Sequence, residues 1–477
     1  MNLSADAAVV LPELIVAAGG MALMLLGVFL GDHAQKLLSY LSVALFIGVA
    51  ALIYATPGGS AFAGAFRADA FAAFIKLLVL LGAAVVLIMS QAYLEREKMA
   101  RFEFPVLVVF SVLGMMLMAS AGDFITLYLG MELQSLALYV LAAFNRDNLR
   151  STEAGLKYFV LGALSSGMML YGISLIYGFA GATGFAKVSM IVQSGTITTG
   201  VVFGLVFLIS GLAFKIAAVP FHMWTPDVYE GAPTPITAFF SASPKVAAMA
   251  LFVRAMAEAL PSALDQWRQI VIFIAILSMA LGAVAAIGQN NIKRLMAYSS
   301  IANMGYALIG LATGTPDGVQ GVLIYLAIYI VTNIGIFACI LAMRRGEAMV
   351  ENIPDLAGLA QSRPGYAFIF AMLMFSLAGI PPLAGFFAKF YVFLAAMRAG
   401  LYPLAVIGVA ISVVGAYYYL RIVKVIYFDP PAPEFEPKMD PSLATVILAS
   451  GLFTLFFVLG AAPLVGAAGA AAAALFP

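Results

Sequence analysis

The chain has 477 residues, 64% of them hydrophobic and 10% charged, with a net charge of +1 and one cysteine. Soluble domains carry about 25% charged residues, so this composition excludes an ordinary soluble fold, a disordered chain, a coiled coil and a disulfide scaffold. Near-neutral charge gives no reason to expect nucleic acid as a partner, and no Gly-rich loop sits in the strand–turn–helix setting of a nucleotide fold.

In chain order, apolar runs of about twenty residues follow one another, the helix length for a ~30 Å hydrocarbon core. A transmembrane β-barrel would alternate apolar and polar residues in ~10-residue segments instead. The prediction is therefore an all-α polytopic membrane protein. Fourteen spans are expected at 8–30, 37–55, 70–92, 105–121, 124–143, 153–180, 198–221, 235–257, 269–288, 296–313, 319–343, 366–397, 402–427 and 442–463. Only Ala121-Gly122-Asp123 separates the fourth from the fifth. The N-terminus lacks a basic region and carries Asp6 and Glu13, which argues against a cleaved signal peptide. After residue 463 only a short Ala/Gly tail is expected.

Loops after odd-numbered spans hold fourteen Lys and Arg. The opposite side, helix ends included, holds five: Arg67, Lys187, Arg254, Arg268 and Arg398. Basic residues concentrate in cytoplasmic loops. The odd loops, among them the Pro-rich stretch 428–441, are thus expected in the cytoplasm and both termini outside it.

Five lysines remain inside apolar runs: Lys76, Lys157, Lys215, Lys245 and Lys389. Glu132 stands out as the acid well inside a span. A charge at mid-bilayer costs ~2.5–3.5 kcal/mol on insertion scales, so such residues face a protein interior or water. Glu132 lies nine residues past Asp123, or ~14 Å along a helix, near the midplane. Lys245 and Lys389 lie at similar depth, and Lys215 precedes Pro220 by five residues. Lys76 and Lys157 are only ~10 Å from Asp69 and Arg150, and Lys76 in particular is expected to snorkel to the interface. Lysine suits proton transfer. Burial disfavours its charged form and a nearby carboxylate restores it, whereas arginine stays charged.

Two spans are interrupted by proline. Pro220 falls near the end of the seventh, and Pro381-Pro382, flanked by Gly379 and Gly385, inside the twelfth. Broken membrane helices are tolerated where they line a cavity. Two breaks five spans apart fit two five-helix units, and an odd number of spans makes the second inverted relative to the first. The expected organisation is a three-helix segment (1–104), a first repeat holding a proton channel (105–258), an inverted second repeat (259–428), and a cytoplasmic loop with a last helix (429–477). Ser243-Pro244 suggests a further break in span eight. His222, two residues after Pro220, reads either as a proton relay or as an interfacial histidine beside Trp224. Trp267, the aromatic runs and the methionines read as interface belt and core filling, and Cys339 as a small buried apolar residue. With one cysteine and two histidines (His33 and His222), no iron–sulfur cluster, haem pair or zinc site is expected.

Four stretches carry a resemblance: GMELQSLALYVL around Glu132, FKIAAVPFHMWTPDVYEGAPTPITAFFSASPKVA at 214–247, NIKRLMAYSSIANMGY at 291–306, and LAGIPPLAGFFAKF at 377–390. Together they resemble the antiporter-like membrane subunits of respiratory complex I, which are related to Mrp antiporters. The loop WTPDVYEGAPTP is most similar to the N branch, the counterpart of mitochondrial NADH dehydrogenase subunit 2. The resemblance implies a proton-translocating subunit of a bacterial NADH:quinone oxidoreductase in the inner membrane. It also implies that NADH, FMN, iron–sulfur clusters and quinone (such as ubiquinone) belong to partner subunits, among them a second antiporter-like subunit. Membrane lipids are the other expected contact. On the family's pattern Glu132 modulates Lys215, Lys245 connects and Lys389 is terminal. Lys157 matches a family lysine of less defined role. The alternatives are an Mrp-type cation/proton antiporter subunit and a non-pumping scaffold whose buried charges serve assembly.

Overall fold

A computed structural model describes residues 3–195, 197–346 and 348–476. Its spans, numbered in chain order, are α1 (Leu11–Leu30), α2 (Gln35–Ala55), α3 (Ala70–Met89), α4 (Glu103–Ala119), α5 (Phe124–Ala142) and α6 (Leu149–Ala180). Then come α7 (Thr199–Ile216, then Trp224–Gly231), α8 (Thr234–Ser241 and Ser243–Arg254), α9 (Leu264–Ile287), α10 (Ile292–Ala312) and α11 (Pro316–Leu341). The last three are α12 (Pro364–Ala378 and Ala384–Arg398), α13 (Tyr402–Phe428) and α14 (Pro441–Ala473). Twelve are long and apolar enough to cross a bilayer, and α4 and the first half of α12 are shorter apolar helices. All fourteen expected spans are thus accounted for.

The helix starts follow from the residues ahead of each apolar run. Asp69, Asp123, Asn148, Asn291, Thr315 and Asp440 each accept from a backbone N–H in the first turn of α3, α5, α6, α10, α11 and α14. Those first amides have no intrahelical acceptor, and inside a bilayer no water would satisfy them. Proline occupies the first turn of α11, α12, α13 and α14, where its missing N–H costs nothing. One expectation fails at the C-terminus. α14 does not stop near Pro463 but continues through it to Ala473, kinking at Gly460 (φ −120°, ψ 18°). A kink beside the proline absorbs its clash with the preceding turn, and the Ala-rich tail favours helix.

The two repeats show in the packing. α4 lies along α5 as α9 lies along α10, and α5 meets α6 as α10 meets α11. α8, α10 and α11 are buried almost throughout, whereas α1, α2, α13 and α14 expose most of their length. The exposed faces carry Leu25, Phe29, Ile47, Val413 and Leu459, as a lipid-facing surface should. Two short antiparallel β-ribbons lie outside the spans: β1 (Gly59–Ala61) with β2 (Phe66–Ala68), and β3 (Arg344–Arg345) with β4 (Ala348–Met349).

The helix that carries Glu132 is seated by glycine. A Cβ on Gly114 of α4 would meet the Gly130 carbonyl and the Gln134 amide of α5, and one on Gly130 would meet Gly114 in return. Close backbone approach through facing small residues is a common way for membrane helices to associate. Gly114→Leu is expected to force α4 from α5 and destabilise the chain by at least ~1–3 kcal/mol. Reduced thermal resistance of the membrane-extracted complex would register it, and an unchanged melting profile would contradict it.

Candidate functional site

The site begins on α5. Glu132, Ser135 and Tyr139 are spaced three and four residues apart and so share one face of the helix. The Ser166 hydroxyl on α6 hydrogen-bonds the Glu132 carboxylate and lies 3.1 Å from the Tyr128 hydroxyl. Lys215, in the last turn of the first half of α7, donates to Ser135 Oγ at 2.8 Å and to Tyr139 Oη at 3.3 Å. Acid and amine therefore sit one helical turn apart with Ser135 between them. The amine is buried and Glu132 half-buried.

The break in α7 creates the next station. The helix stops at Ile216 because Ala217 turns left-handed (φ 61°) ahead of Pro220. The last carbonyls of a helix are short of amide partners, and here two side chains bond carbonyls of the last turn. Trp224 Nε1 donates to the Phe214 carbonyl at 3.0 Å, and Lys245 Nζ to the Ile216 carbonyl at 2.9 Å. A cation at a helix C-terminus gains ~0.3–1 kcal/mol, and up to ~2 where partly buried. The Lys245 ammonium also lies 5.3 Å from the centre of the Trp224 ring. Trp224 stacks on Tyr158 at 4.4 Å, and Tyr158 meets Tyr139 edge-on at 4.8 Å. An aromatic wall thus runs from the Lys215 site to the Lys245 site. The break expected in span eight is present at Ala242 (φ −106°, ψ −101°), three residues before Lys245.

The second repeat repeats the device. The first half of α12 stops at Ala378, before Gly379 (φ 91°) and Pro381-Pro382. Lys389 reaches back from the second half to donate to the Ala378 carbonyl at 3.0 Å and to Ser412 Oγ of α13 at 2.8 Å. Its ammonium lies 4.8 Å from the centre of the Tyr306 ring. Gly385 N donates to Ser376 Oγ at 2.9 Å, tying the two halves together.

Between Lys245 and Lys389 runs a buried polar seam that the sequence reading did not single out. Asn333 of α11 donates to the Ser241 carbonyl at the break in α8 (3.0 Å), and one turn earlier Tyr329 donates to Ser300 (3.0 Å). Tyr325 donates to Asn303 (2.6 Å), and Ser299 shares a 2.5 Å hydrogen bond with Tyr419 of α13. Asn303 and Tyr306 are one turn apart on α10, which closes the seam on Lys389. Its signal was present in AYSSIANMGY, where Ser299, Ser300, Asn303 and Tyr306 interrupt an apolar span at helical spacing.

The other singled-out residues lie elsewhere. Lys157 pairs with Glu153 (2.7 Å) and Asp227 (2.8 Å) at the partly exposed end of α6, and Arg294 completes the cluster against Asp227 (2.7 Å) and Glu230 (2.9 Å). Burial opposes the Asp227 charge, but the hydrogen bonds from Lys157 and Arg294 prevail and hold its carboxyl below the ordinary range. His222 is partly buried within the turn that follows Pro220.

Lys76 corrects one expectation. It does not snorkel: it forms an ion pair with Glu13 of α1 at 2.7 Å, both side chains less than 5% exposed. Glu13 lies in the first turn of α1, so Glu132 remains the acid well inside a span. Arg254, which the sequence placed at a helix end, is fully buried at the end of α8, where Asp69 (2.7 Å) and Glu258 (2.7 Å) neutralise it. Among the described residues, His, Cys, Asp and Glu form no cluster of three or more suited to a metal ion.

Comparisons with known proteins give the family and the fold. A family profile described as NADH:quinone oxidoreductase/Mrp antiporter, transmembrane, matches residues 121–415. NADH-quinone oxidoreductase subunit N of Parvibaculum lavamentivorans is 60% identical over 469 residues, covering 98% of this chain and 97% of that protein. Subunit N 1 of Rhizobium meliloti is 58% identical over 468 residues, covering 98% and 97%. A chain of respiratory complex I from Thermus thermophilus superposes with a TM-score of 0.82 at 33% identity, covering 96% of this chain and 99% of that one. A chain of the Mrp complex from Dietzia gives 0.86 at 23% identity, covering 100% and 98%, and so shares the fold. On this identity, sustained over nearly the whole length, the chain belongs to the NADH-quinone oxidoreductase subunit N family, an antiporter-like membrane subunit of bacterial complex I.

Proposed function

We propose that this chain moves protons across the membrane along Glu132, Lys215, Lys245 and Lys389, driven by redox energy released in partner subunits. The observation that carries the reading is the placement of three buried lysines on one polar line. Two of them sit on the orphan carbonyls of broken helices, and the third lies a helical turn from a carboxylate. NADH, FMN, iron–sulfur clusters and quinone belong to the partners. The excess of Lys and Arg after odd spans supports a cytoplasmic side at the Lys157–Asp227–Arg294 cluster, with both termini on the other side.

Glu132 acts as a switch. Near Lys215 it favours the ammonium, and when its charge is withdrawn the amine releases a proton. The proton passes to Lys245 past Trp224, then along the hydroxyl and amide seam to Lys389. His222 and Lys157 lie nearer the cytoplasmic entrance, where they supply protons to the line. Each charge moved against 100 mV costs ~2.3 kcal/mol, so one swing in lysine proton affinity of about fifty-fold per step suffices. The relatives at 60% identity are oxidoreductase subunits, which favours this over an Mrp-type exchanger. A scaffold reading leaves the hydrogen-bonded seam without purpose.

The test is Glu132→Gln. Glutamine keeps the shape and a hydrogen bond to Ser166 but never carries charge. Protons moved per NADH are expected to fall several-fold in the share carried by this chain, with complex abundance unchanged. Undiminished pumping in the assembled variant would remove Glu132 from the mechanism.

A further inference from the structure

Away from the proton path, α3, α11 and α14 enclose an apolar groove of roughly 500 Å³, lined by Leu81, Val85, Ile88, Ile334, Val446 and Ala449 among others. From Leu81 to Ile88 and from Ser442 to Ser450 the groove runs ~10–12 Å along its helices. The hydroxyl of Thr445 on its wall is already spent on the Pro441 carbonyl at 2.8 Å, so the surface stays apolar. At the end where α3 and α11 finish and α14 begins, a second pocket opens directly above it. Met89 and Leu443 line this pocket, and each is the immediate neighbour of a groove residue. Its lining brings the side chains of Arg96, Arg344, Arg363 and Lys438 together with those of Glu436 and Asp440. Arg96 engages Glu436 at 2.8 Å, Arg344 engages Glu97 at 2.9 Å, and Asp440 caps α14. Arg363 donates to the Phe435 carbonyl at 3.4 Å, and among the described residues neither it nor Lys438 forms an ion pair with a carboxylate.

We propose that this composite is a binding site for an anionic phospholipid. Its phosphate sits between Arg363 and Lys438, and one acyl chain lies in the groove between α3, α11 and α14. The two halves specify the occupant together. An apolar groove at the lipid face accepts any acyl chain, and a basic pocket at helix ends accepts any phosphate. Joined end to end at the level where the helices leave the membrane, they match a phospholipid's own division between tail and headgroup. A partner helix is itself 10–12 Å across and has no use for two uncompensated cations at one end of so short a groove. Bound there, the lipid would pin α14 to the broken-helix core through α11.

The experiment uses the assembled complex, extracted and depleted of lipid, with phosphatidylglycerol, phosphatidylcholine and inorganic phosphate as probes and native mass spectrometry and thermal unfolding as readouts. Phosphatidylglycerol is expected to be retained and to raise the melting temperature. Phosphatidylcholine and phosphate should do so far less. R363Q/K438Q is expected to weaken phosphatidylglycerol retention roughly ten- to thirty-fold, from about 1 kcal/mol per basic residue. Ala449→Phe, which fills the groove and leaves the charges alone, should reduce retention as well, and it decides the matter if the charge variant fails to assemble. Equal retention by wild type and A449F, or a shift by phosphate as large as that by phosphatidylglycerol, would overturn the proposal. So would a photo-cross-linker at Val446 that captures polypeptide rather than lipid.

Discussion

Lys215→Met is expected to stop proton transfer through this chain while leaving it folded and assembled. The amine is buried and donates to Ser135 and Tyr139. Ser135 keeps its own bond to the Met131 carbonyl at 2.7 Å, so removing the lysine orphans little. Removing one partner of a buried hydrogen bond costs ~1–3 kcal/mol when it leaves an acceptor unmet, and here both acceptors are hydroxyls that keep their own donors. A positioned proton carrier contributes on the order of 10²–10⁴-fold to a transfer step. Protons moved per NADH should therefore drop by the full share this chain carries, while NADH oxidation with a soluble acceptor continues. Lys215→Arg sharpens the test. Arginine retains the charge and the donors but does not release its proton, so it should pump no better than methionine. Normal pumping by the arginine variant would mean that Lys215 serves as a fixed charge and not as a carrier.

Nearly all of the fold was legible because a bilayer permits few ways to end a helix. Unbroken apolar runs announce the spans, and Pro220 and Pro381-Pro382 announce breaks by removing amides. The depth of Lys245 and Lys389 followed from counting residues along one helix. Contacts between helices did not follow from such counting. Glu13 is the third residue of α1 and reads as an interface carboxylate, and nothing in its own segment says that Lys76 packs against it. Trp224, Tyr158 and Tyr329 belong to types that serve equally as membrane belt or core. Whether they face lipid, a helix or a proton path depends on how the helices turn. At the C-terminus Pro463 reads as a stop, yet the neighbouring Gly460 kinks and lets the helix continue.

Lys76 and Glu13 supply the second large effect. At 2.7 Å and less than 5% exposed, each leaves an uncompensated charge within the membrane if the other is removed. Breaking such a pair costs about 3–5 kcal/mol, whereas replacing both partners by neutral groups is often close to neutral. Lys76→Met and Glu13→Gln are each expected to lower the abundance and thermal resistance of the complex severely, and the double variant to recover most of the loss. The two single variants should differ. Lys76 borders a cavity of roughly 190 Å³ shared with Asp69, and its ammonium lies 4.9 Å from the Phe66 ring. A lysine stranded by Glu13→Gln therefore borders a cavity and an aromatic face, although Asp69 itself is already held by Arg254 at 2.7 Å. A glutamate stranded by Lys76→Met has no such cation, so the methionine variant should be the weaker of the two. Quantified complex in the membrane fraction, followed through a thermal ramp, gives the ranking. If the double variant were no more abundant than either single one, the pair would be passengers of the packing and not what holds α1 to α3. If instead assembly were intact in all three but pumping per NADH fell, Lys76 and Glu13 would belong on the proton path.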